Sequence, residues 1–253
     1  GLAREVARQS IVLLKNKDKL LPLKKDIRTL AVIGPNADNV YNMLGDYTAP
    51  QADGTVVTVL DGIRQKVSKE TRVLYAKGCA VRDSSRTGFK DAIETARNAD
   101  AVVMVMGGSS ARDFSSEYEE TGAAKVTINQ ISDMESGEGY DRATLHLMGR
   151  QLELLEEISR LGKPVVLVLI KGRPLLMEGA IQEAEAIVDA WYPGMQGGNA
   201  VADVLFGDYN PAGRLTLSVP RSVGQLPVYY NTRRKGNRSR YVEEPGTPRY
   251  PFG

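Results

Sequence analysis

The stretch Ala101–Met106 (AVVMVM), followed by Gly107-Gly108, decides the fold of this chain. It is apolar at every position, and such uninterrupted runs are typical of strands that are covered on both faces of a sheet. Four similar short runs follow the same pattern at Thr29–Gly34 (TLAVIG), Thr71–Ala76, Pro164–Ile170 (PVVLVLI) and Ala186–Ala190 (AIVDA). The chain therefore contains a series of buried strands.

Segments with helical spacing of apolar residues separate these runs. They are residues 2–15, Thr58–Val67, Thr87–Asn98, Gly149–Leu161 and Gln196–Phe206. Repetition of strand, helix and strand implies right-handed crossovers and parallel pairing. We therefore predict an α/β fold for residues 1–220, a three-layer α/β/α sandwich with a mostly parallel sheet of about six strands. Residues 221–253 are rich in Pro, Gly and Arg and are predicted to form an extended, weakly anchored tail.

Composition excludes several classes of function. The 253 residues include 33 basic and 31 acidic side chains, so the net charge of +2 creates no general attraction to nucleic acid. One cysteine, Cys79, and one histidine, His146, exclude a disulfide framework and the usual zinc sites. Apolar runs of about six to eight residues are far shorter than the roughly 20 that a membrane span needs. We predict no cofactor, no metal site and no membrane span.

A basic cluster lies in the tail. Residues 231–240 (NTRRKGNRSR) carry five positive charges and no negative charge. Such a cluster is compatible with binding to nucleic acid or anionic lipid. No aromatic residues are interleaved with the arginines, so we interpret the cluster as a solvated loop and predict no nucleic-acid partner.

The long polar segment 107–147 is where we look for chemistry. It leaves the carboxyl end of the strand at Ala101–Met106, the side of an open α/β sheet where ligands bind. A loop of about 40 residues is uncommon in a compact domain unless it is functional. The segment is rich in acids: Asp113, Glu117, Glu119, Glu120, Asp133, Glu135, Glu138 and Asp141. Their spacing does not match a calcium-binding loop.

The most distinctive part of that segment is residues 135–142 (ESGEGYDR). Glycines on both sides of Glu138 permit backbone conformations that other residues avoid, and they leave the carboxyl group unobstructed. Tyr140 could stack on a sugar ring, and Asp141 and Arg142 could form a local ion pair. Composition alone leaves two interpretations open: an acid presented to a substrate, or a turn with exposed acids.

Other positions carry weaker signals. Gly34-Pro35-Asn36 follows a strand but lacks a phosphate-loop pattern, so we predict a tight turn there. His146, between two leucines, is interpreted as a packing residue, and Cys79 as a small apolar filler. The aromatic pair Trp191-Tyr192 ends a strand, which is compatible with either the core or the wall of a cleft.

Ten stretches, in this order, resemble one family, glycoside hydrolase family 3. They are Gln9–Asn16 (QSIVLLKN), Leu20–Leu23 (LLPL), Ala31–Pro35 (AVIGP), Ser136–Tyr140 (SGEGY), Gly172–Pro174 (GRP), Trp191–Gly194 (WYPG), Gly197-Gly198, Asp203–Gly207 (DVLFG), Asn210–Leu215 (NPAGRL) and Tyr250–Gly253 (YPFG). Each motif alone is weak, but together they span nearly the whole chain. The resemblance is to the second domain of these enzymes.

The resemblance implies a β-glucosidase or β-xylosidase that retains anomeric configuration and acts on β-linked oligosaccharides or aryl and alkyl β-glycosides. In the family, an N-terminal barrel domain carries an Asp nucleophile, and the second domain supplies the acid/base glutamate. Glu138 matches that glutamate. Tyr140 matches a residue on the aglycone side, and Arg142 is a further expected substrate contact. The resemblance also implies a periplasmic or extracellular parent enzyme.

The chain starts at Gly1 without Met and stops within a family motif, so we expect it to be a fragment that is nearly inactive alone. Two alternatives stay open. The first is a non-catalytic carbohydrate-binding or interaction domain of the same fold, in which Glu138 is only a loop acid. The second is a nucleotide-binding α/β domain, against which the absence of phosphate-loop glycines argues.

Overall fold

The computed structural model of the chain describes residues 1–111, 120–121, 133–176, 178–231 and 241–253. The basic cluster at 232–240 lies outside these ranges. The strands are β1 (Val12–Asn16), β2 (Thr29–Ile33), β3 (Arg72–Ala76), β4 (Ala101–Gly107), β5 (Val165–Ile170) and β6 (Ala186–Trp191). The helices are α1 (Leu2–Ser10), α2 (Val40–Leu44), α3 (Val59–Lys66), α4 (Phe89–Arg97), α5 (Gln151–Ser159), α6 (Glu178–Glu183) and α7 (Gly197–Leu205).

The strands form one six-stranded sheet in the order β1-β6-β5-β4-β2-β3. All neighbouring strands are parallel except β1, which pairs antiparallel with β6. Both faces of the sheet are covered. On β2, Leu30 and Val32 face one core cluster, whereas Ala31 and Ile33 face the other. The predicted three-layer α/β/α sandwich is confirmed.

The helices form two layers, one on each face of the sheet. One face of the sheet packs against α1, α2, α3 and α7, and the opposite face against α4, α5 and α6. Helices α3 and α7 approach very closely, because a Cβ atom added at Gly198 would lie 1.9 Å from the carbonyl oxygen of Thr58. Glycine at this position therefore permits backbone contact between the two helices.

The single predicted helix over residues 2–15 is wrong in its second half. Helix α1 ends at Ser10, Ile11 is extended, and Val12–Asn16 form strand β1. Leu2, Val6, Ile11 and Leu14 have helical spacing, but Val12 and Leu13 pair with the edge of β6. This sheet pairing overrides a weak helical preference in a segment rich in β-branched and apolar residues. The short helices α2 and α6 were not predicted.

A buried carboxylate fastens α1 to the sandwich. Asp203, on α7, has a fully buried side chain that lies 2.5 Å from Arg4, 2.6 Å from Arg8 and 2.5 Å from Lys66. Burial alone would raise the pKa of Asp203, but the hydrogen bonds from these three cations outweigh it and hold that pKa well below its usual range.

The tail is anchored at its far end. Val219 forms a backbone bridge with Tyr250, and the amide of Gly253 donates to the carbonyl of Leu215 at 2.9 Å. Tyr250 also packs against the cluster of Val12, Leu215 and Val219. The expectation of weak anchoring is therefore wrong for residues 249–253. Within the described parts of the chain, no helix is long and apolar enough to cross a membrane.

Candidate active site

The order of the strands reverses between β2 and β4, because the chain runs from β2 out to β3 and returns to β4 on the other side. Open α/β sheets commonly bind ligands beyond the carboxyl ends at such a point. Here three buried side chains occupy the crevice. Asn36 donates to the Gly108 carbonyl at 3.0 Å, Asn42 donates to Asn36 at 2.7 Å, and Ser109 donates to Asn42 at 2.6 Å.

This polar network forms a platform for the candidate site. The carbonyl of Ser109 accepts from the amides of Glu135 at 2.8 Å and Ser136 at 3.3 Å. The hydroxyl of the next residue, Ser110, accepts from the amide of Asp46 at 3.1 Å. Two surface segments, 45–47 and 133–142, are thus fixed to the carboxyl end of β4. The turn at Gly34 is tight, since the amide of Ala37 donates to the Gly34 carbonyl at 3.3 Å, and it lies against β4, where an added Cβ would be 2.2 Å from the Val105 carbonyl oxygen.

Glu138 projects from a tight turn on this platform. The amide of Tyr140 donates to the carbonyl of Gly137 at 3.2 Å. Gly137 and Gly139 have φ angles of +116° and +80°, which other residues rarely adopt. An added Cβ at Gly137 would lie 2.5 Å from Met134, whereas Gly139 faces open space. The glycines therefore let the turn form, and the side chain of Glu138 is exposed.

Tyr47 is the first partner of the Glu138 carboxylate. Its hydroxyl donates to Oε2 of Glu138 at 2.8 Å, and the Glu138 amide lies 3.4 Å from Oδ2 of Asp46. Tyr47 is 76% exposed and has a φ of +57°. The sequence analysis missed Tyr47, because 91 positions separate it from Glu138 and no local pattern links the two.

Glu135 and Arg142 form a buried ion pair beneath the turn. Nη1 of Arg142 lies 2.6 Å from Oε2 of Glu135, and the two side chains are only 6% and 1% exposed. Arg142 also donates to the carbonyl of His146. The predicted local pair between Asp141 and Arg142 is not observed, since Asp141 is exposed and Arg142 turns inward to Glu135.

Two further arginines hold the same turn. Nη2 of Arg173 donates to the Tyr140 carbonyl at 3.1 Å. Arg82 lies 6.0 Å from the centre of the Tyr140 ring and donates to the Met134 carbonyl at 2.7 Å. Tyr140 is half-buried as a result. Arg173 belongs to the quoted motif Gly172–Pro174, but neither arginine was predicted as a site residue, because both lie in other segments of the sequence.

Trp191 and Tyr192, at the end of β6, have different surroundings. Trp191 packs against the cluster of Val12, Leu215 and Val219, with Nζ of Lys171 4.1 Å from its ring centre. Lys171 also lies 2.6 Å from Asp189; burial raises the pKa of Asp189, and Lys171 opposes this rise. Tyr192 faces the candidate site, with its hydroxyl 3.4 Å from that of Ser136.

The remaining predicted residues have other roles. Asp113, Glu117 and Glu119 lie outside the described residues, whereas Glu120 is exposed and Asp133 accepts from the amides of Val81 and Arg82. His146 is exposed, so its interpretation as a packing residue is wrong. Cys79 is buried as predicted, and burial raises the pKa of its thiol to about 12. The described residues contain no group of three His, Cys, Asp or Glu side chains that could hold a metal ion.

The fold and the site define a class of α/β-sandwich domain that presents the exposed carboxyl group of Glu138 on a glycine-flanked turn beyond the sheet. The model of the glycosyl hydrolase family 3 C-terminal domain matches residues 11–253. The chain belongs to this family.

Relatives agree with that assignment. The chain is 42% identical to a β-xylosidase of Formosa agariphila and 40% identical to a periplasmic β-glucosidase of Salmonella typhimurium, covering 99% of this chain in both cases. It spans only 33% and 34% of those two proteins.

Solved structures show the same relationship. A β-glucosidase from Erythrobacter marinus is 37% identical with a TM-score of 0.81, covering 99% of this chain and 34% of that one. A β-glucosidase from Listeria innocua in complex with glucose is 31% identical with a TM-score of 0.79, covering 98% of this chain and 32% of that one.

Proposed function

We propose that this chain supplies the acid/base half of the active site of a retaining β-glycosidase, with Glu138 as the acid/base residue. The observation that carries the proposal is the exposed Glu138 carboxyl, raised between two glycines on a turn that is fixed to the carboxyl end of β4. The other half is an N-terminal barrel domain with an Asp nucleophile. The chain spans about a third of its relatives, so there is room in the parent protein for such a domain.

The proposed reaction has two steps, with the two carboxyl groups about 5–5.5 Å apart. In the first step the Asp attacks the anomeric carbon, the glycosidic bond breaks, and Glu138 gives its proton to the leaving oxygen. In the second step Glu138 takes a proton from water, the water oxygen bonds to the anomeric carbon, and the Asp leaves. The proton taken from water leaves Glu138 in the acid form for the next cycle.

The contacts of Glu138 hold its side chain and its backbone in place. Tyr47 donates a hydrogen bond to Oε2 of Glu138 at 2.8 Å, which helps to orient the carboxyl group. The acid form needs water-excluding walls that an exposed turn lacks, and the barrel would provide them. For this reason, and because it has no nucleophile of its own, the isolated chain should be nearly inactive.

The names of the relatives suggest the substrates. Because they include β-xylosidases and β-glucosidases, we propose β-linked glucosides or xylosides, and a periplasmic or extracellular location for the parent enzyme. Tyr140 would line the aglycone side. Arg142 was a predicted substrate contact, but its guanidinium is occupied by Glu135 and the His146 carbonyl. We therefore favour an indirect role for Arg142.

The experiment that tests the proposal uses the full-length parent enzyme. Glu138→Gln should slow hydrolysis of unactivated glycosides by about 10²–10⁴-fold, the usual contribution of a positioned acid. Glu138→Gly should be rescued by azide on activated aryl glycosides, with a β-glycosyl azide as product. Asp141→Asn is the matched control, because Asp141 is an exposed acid of the same loop.

Two outcomes contradict the proposal. One is an Asp141→Asn variant that is as slow as Glu138→Gln. The other is azide rescue of Glu135→Gly without rescue of Glu138→Gly. Robust retaining hydrolysis by the purified 253-residue chain would contradict the expected inactivity of the fragment.

A further inference from the structure

We infer that the buried pair of Glu135 and Arg142 is a positioning device that fixes the direction in which Glu138 presents its carboxyl group. This inference rests on the proposed function of Glu138. Neither residue of the pair needs to touch the substrate.

The first support is where the pair sits in the loop. Glu135 and Arg142 are seven positions apart, and Glu138 lies between them. Their ion pair therefore closes the turn at its base, so that the backbone at both ends of the segment moves as one unit. The Glu135 end is in turn fixed to β4 through the hydrogen bond from its amide to the Ser109 carbonyl.

The second support is the tight fit around Glu135. A Cβ atom added at Gly108 would lie 2.0 Å from Oε1 of Glu135, so that oxygen packs directly against the backbone at the end of β4. The other oxygen, Oε2, accepts from Arg142 at 2.6 Å. Within the described residues Oε1 packs against the platform without a hydrogen-bond partner, so the guanidinium on Oε2 is the polar contact that orients the carboxylate.

The third support is the choice of charged residues. Burying an ion pair costs desolvation, and apolar residues of similar volume often give equal or better stability. An apolar pair, however, would not fix direction. The planar guanidinium of Arg142 donates to both Glu135 and the His146 carbonyl, which defines its plane and the path of the chain at 142. The need to hold the turn, and with it Glu138, in a fixed direction would explain why an ion pair is buried here.

The consequence for catalysis is specific. Displacing a catalytic group by about 1 Å can cost about 10²-fold in rate. Because Glu138 transfers a proton to the leaving oxygen, its displacement should harm substrates that need protonation far more than those with good leaving groups. A general loss of folded enzyme would instead lower the rate on every substrate by the same factor.

The test measures kcat/KM of the full-length enzyme on a series of aryl β-glycosides, from activated nitrophenols to unactivated phenols. Glu135→Gln and Arg142→Met should lose about 10–100-fold on the poorest leaving groups and less than about 3-fold on the best. Arg142→Lys keeps the charge but not the fork, and should lie between wild type and Arg142→Met. Asp141→Asn is the control and should follow the wild-type series.

The double variant Glu135→Leu with Arg142→Met guards against simple unfolding, because it leaves no unpaired buried charge. It should keep the thermal stability of the wild type while showing the same steep dependence on the leaving group. A wild-type dependence in this folded double variant, or a uniform loss across the series in the single variants, overturns the inference.

Failure of this inference is distinguishable from failure of the proposed function. If Glu138→Gly shows neither the steep dependence nor azide rescue, the acid/base assignment itself is wrong and the inference falls with it. If Glu138→Gly shows both while the Glu135 and Arg142 variants lose activity uniformly, only the positioning role is wrong.

Discussion

Asp203 and Glu135 are both buried carboxylates that pair with arginine, yet they hold different things together. Asp203 gathers Arg4 and Arg8 from α1 and Lys66 from α3, across separations of up to 199 positions. Glu135 pairs with Arg142, only seven positions away. The first cluster joins three helices, whereas the second shapes one turn.

The comparison separates two uses of the same chemistry. An interaction that joins distant elements is absent from the unfolded chain, so its loss should appear mainly in the free energy of unfolding. An interaction within one surface turn adds less to global stability, because such turns can open locally without unfolding the core. Its loss should appear mainly in the geometry of Glu138.

The largest expected effect is on stability at Asp203. Asp203→Ala removes the carboxylate that Arg4, Arg8 and Lys66 share, and breaking a buried pair by deleting one partner costs about 3–5 kcal/mol. The measurement is urea unfolding of the purified chain. Asp208→Asn, at a partly exposed partner of Lys25 and Lys66, is the control and should cost about 1 kcal/mol or less. Equal losses in the two variants would break the comparison.

The same site predicts the direction of a pH effect. The pKa of Asp203 is lowered by the hydrogen bonds from Arg4, Lys66 and Arg8, which outweigh burial. A carboxyl with a lowered folded-state pKa stabilises the protein fully above its unfolded pKa of about 3.9 and loses that contribution as pH falls below it. The stability gap between wild type and Asp203→Asn should therefore be constant near neutral pH and shrink below about pH 4. A gap that grows on acidification would contradict this account.

A smaller effect on stability, but a larger one on catalysis, is expected at Gly108. In Gly108→Ala the new Cβ would meet Oε1 of Glu135, and such overpacking typically costs about 1–3 kcal/mol. In the full-length enzyme it should also steepen the dependence of kcat/KM on the leaving group. Gly224→Ala is the control, because its nearest neighbour is 3.5 Å away and its φ is not positive. If Gly108→Ala lowers stability but leaves the leaving-group dependence unchanged, the packing of Glu135 against Gly108 does not affect proton transfer by Glu138.

The sequence predicted the part of the molecule that obeys periodicity. The strands β2 to β6 are short apolar runs that any sheet covered on both faces requires, and they were found near their true bounds. Strand β1 was mistaken for helix, because the spacing of its few apolar residues fits either state and only its pairing with β6 decides.

The contacts around Glu138, unlike the strands, could be predicted only in part from the sequence. The glycines on both sides are local, and they pointed to the turn. Tyr47 and Arg173 reach it from 91 and 33 positions away, and single side chains that meet through the fold leave no periodic trace in the sequence. The inward direction of the Arg142 side chain was missed for a related reason. Its partner Glu135 is close in sequence, but Glu135 is buried only because the fold packs it against Ser109 and Gly108.

The smallest expected effect is that of Glu135→Gln on the rate at which Cys79 reacts with a thiol reagent. This rate tests whether the core and the Glu138 turn open together. Burial raises the pKa of the Cys79 thiol to about 12, so very little of it is the reactive thiolate near neutral pH. Labelling by a thiol reagent therefore requires opening of the core cluster that contains Cys79. Glu135→Gln should change the labelling rate by less than about 3-fold, whereas Asp203→Ala should raise it in proportion to its loss of stability. Strong acceleration by Glu135→Gln would mean that the turn and the core unfold as one unit.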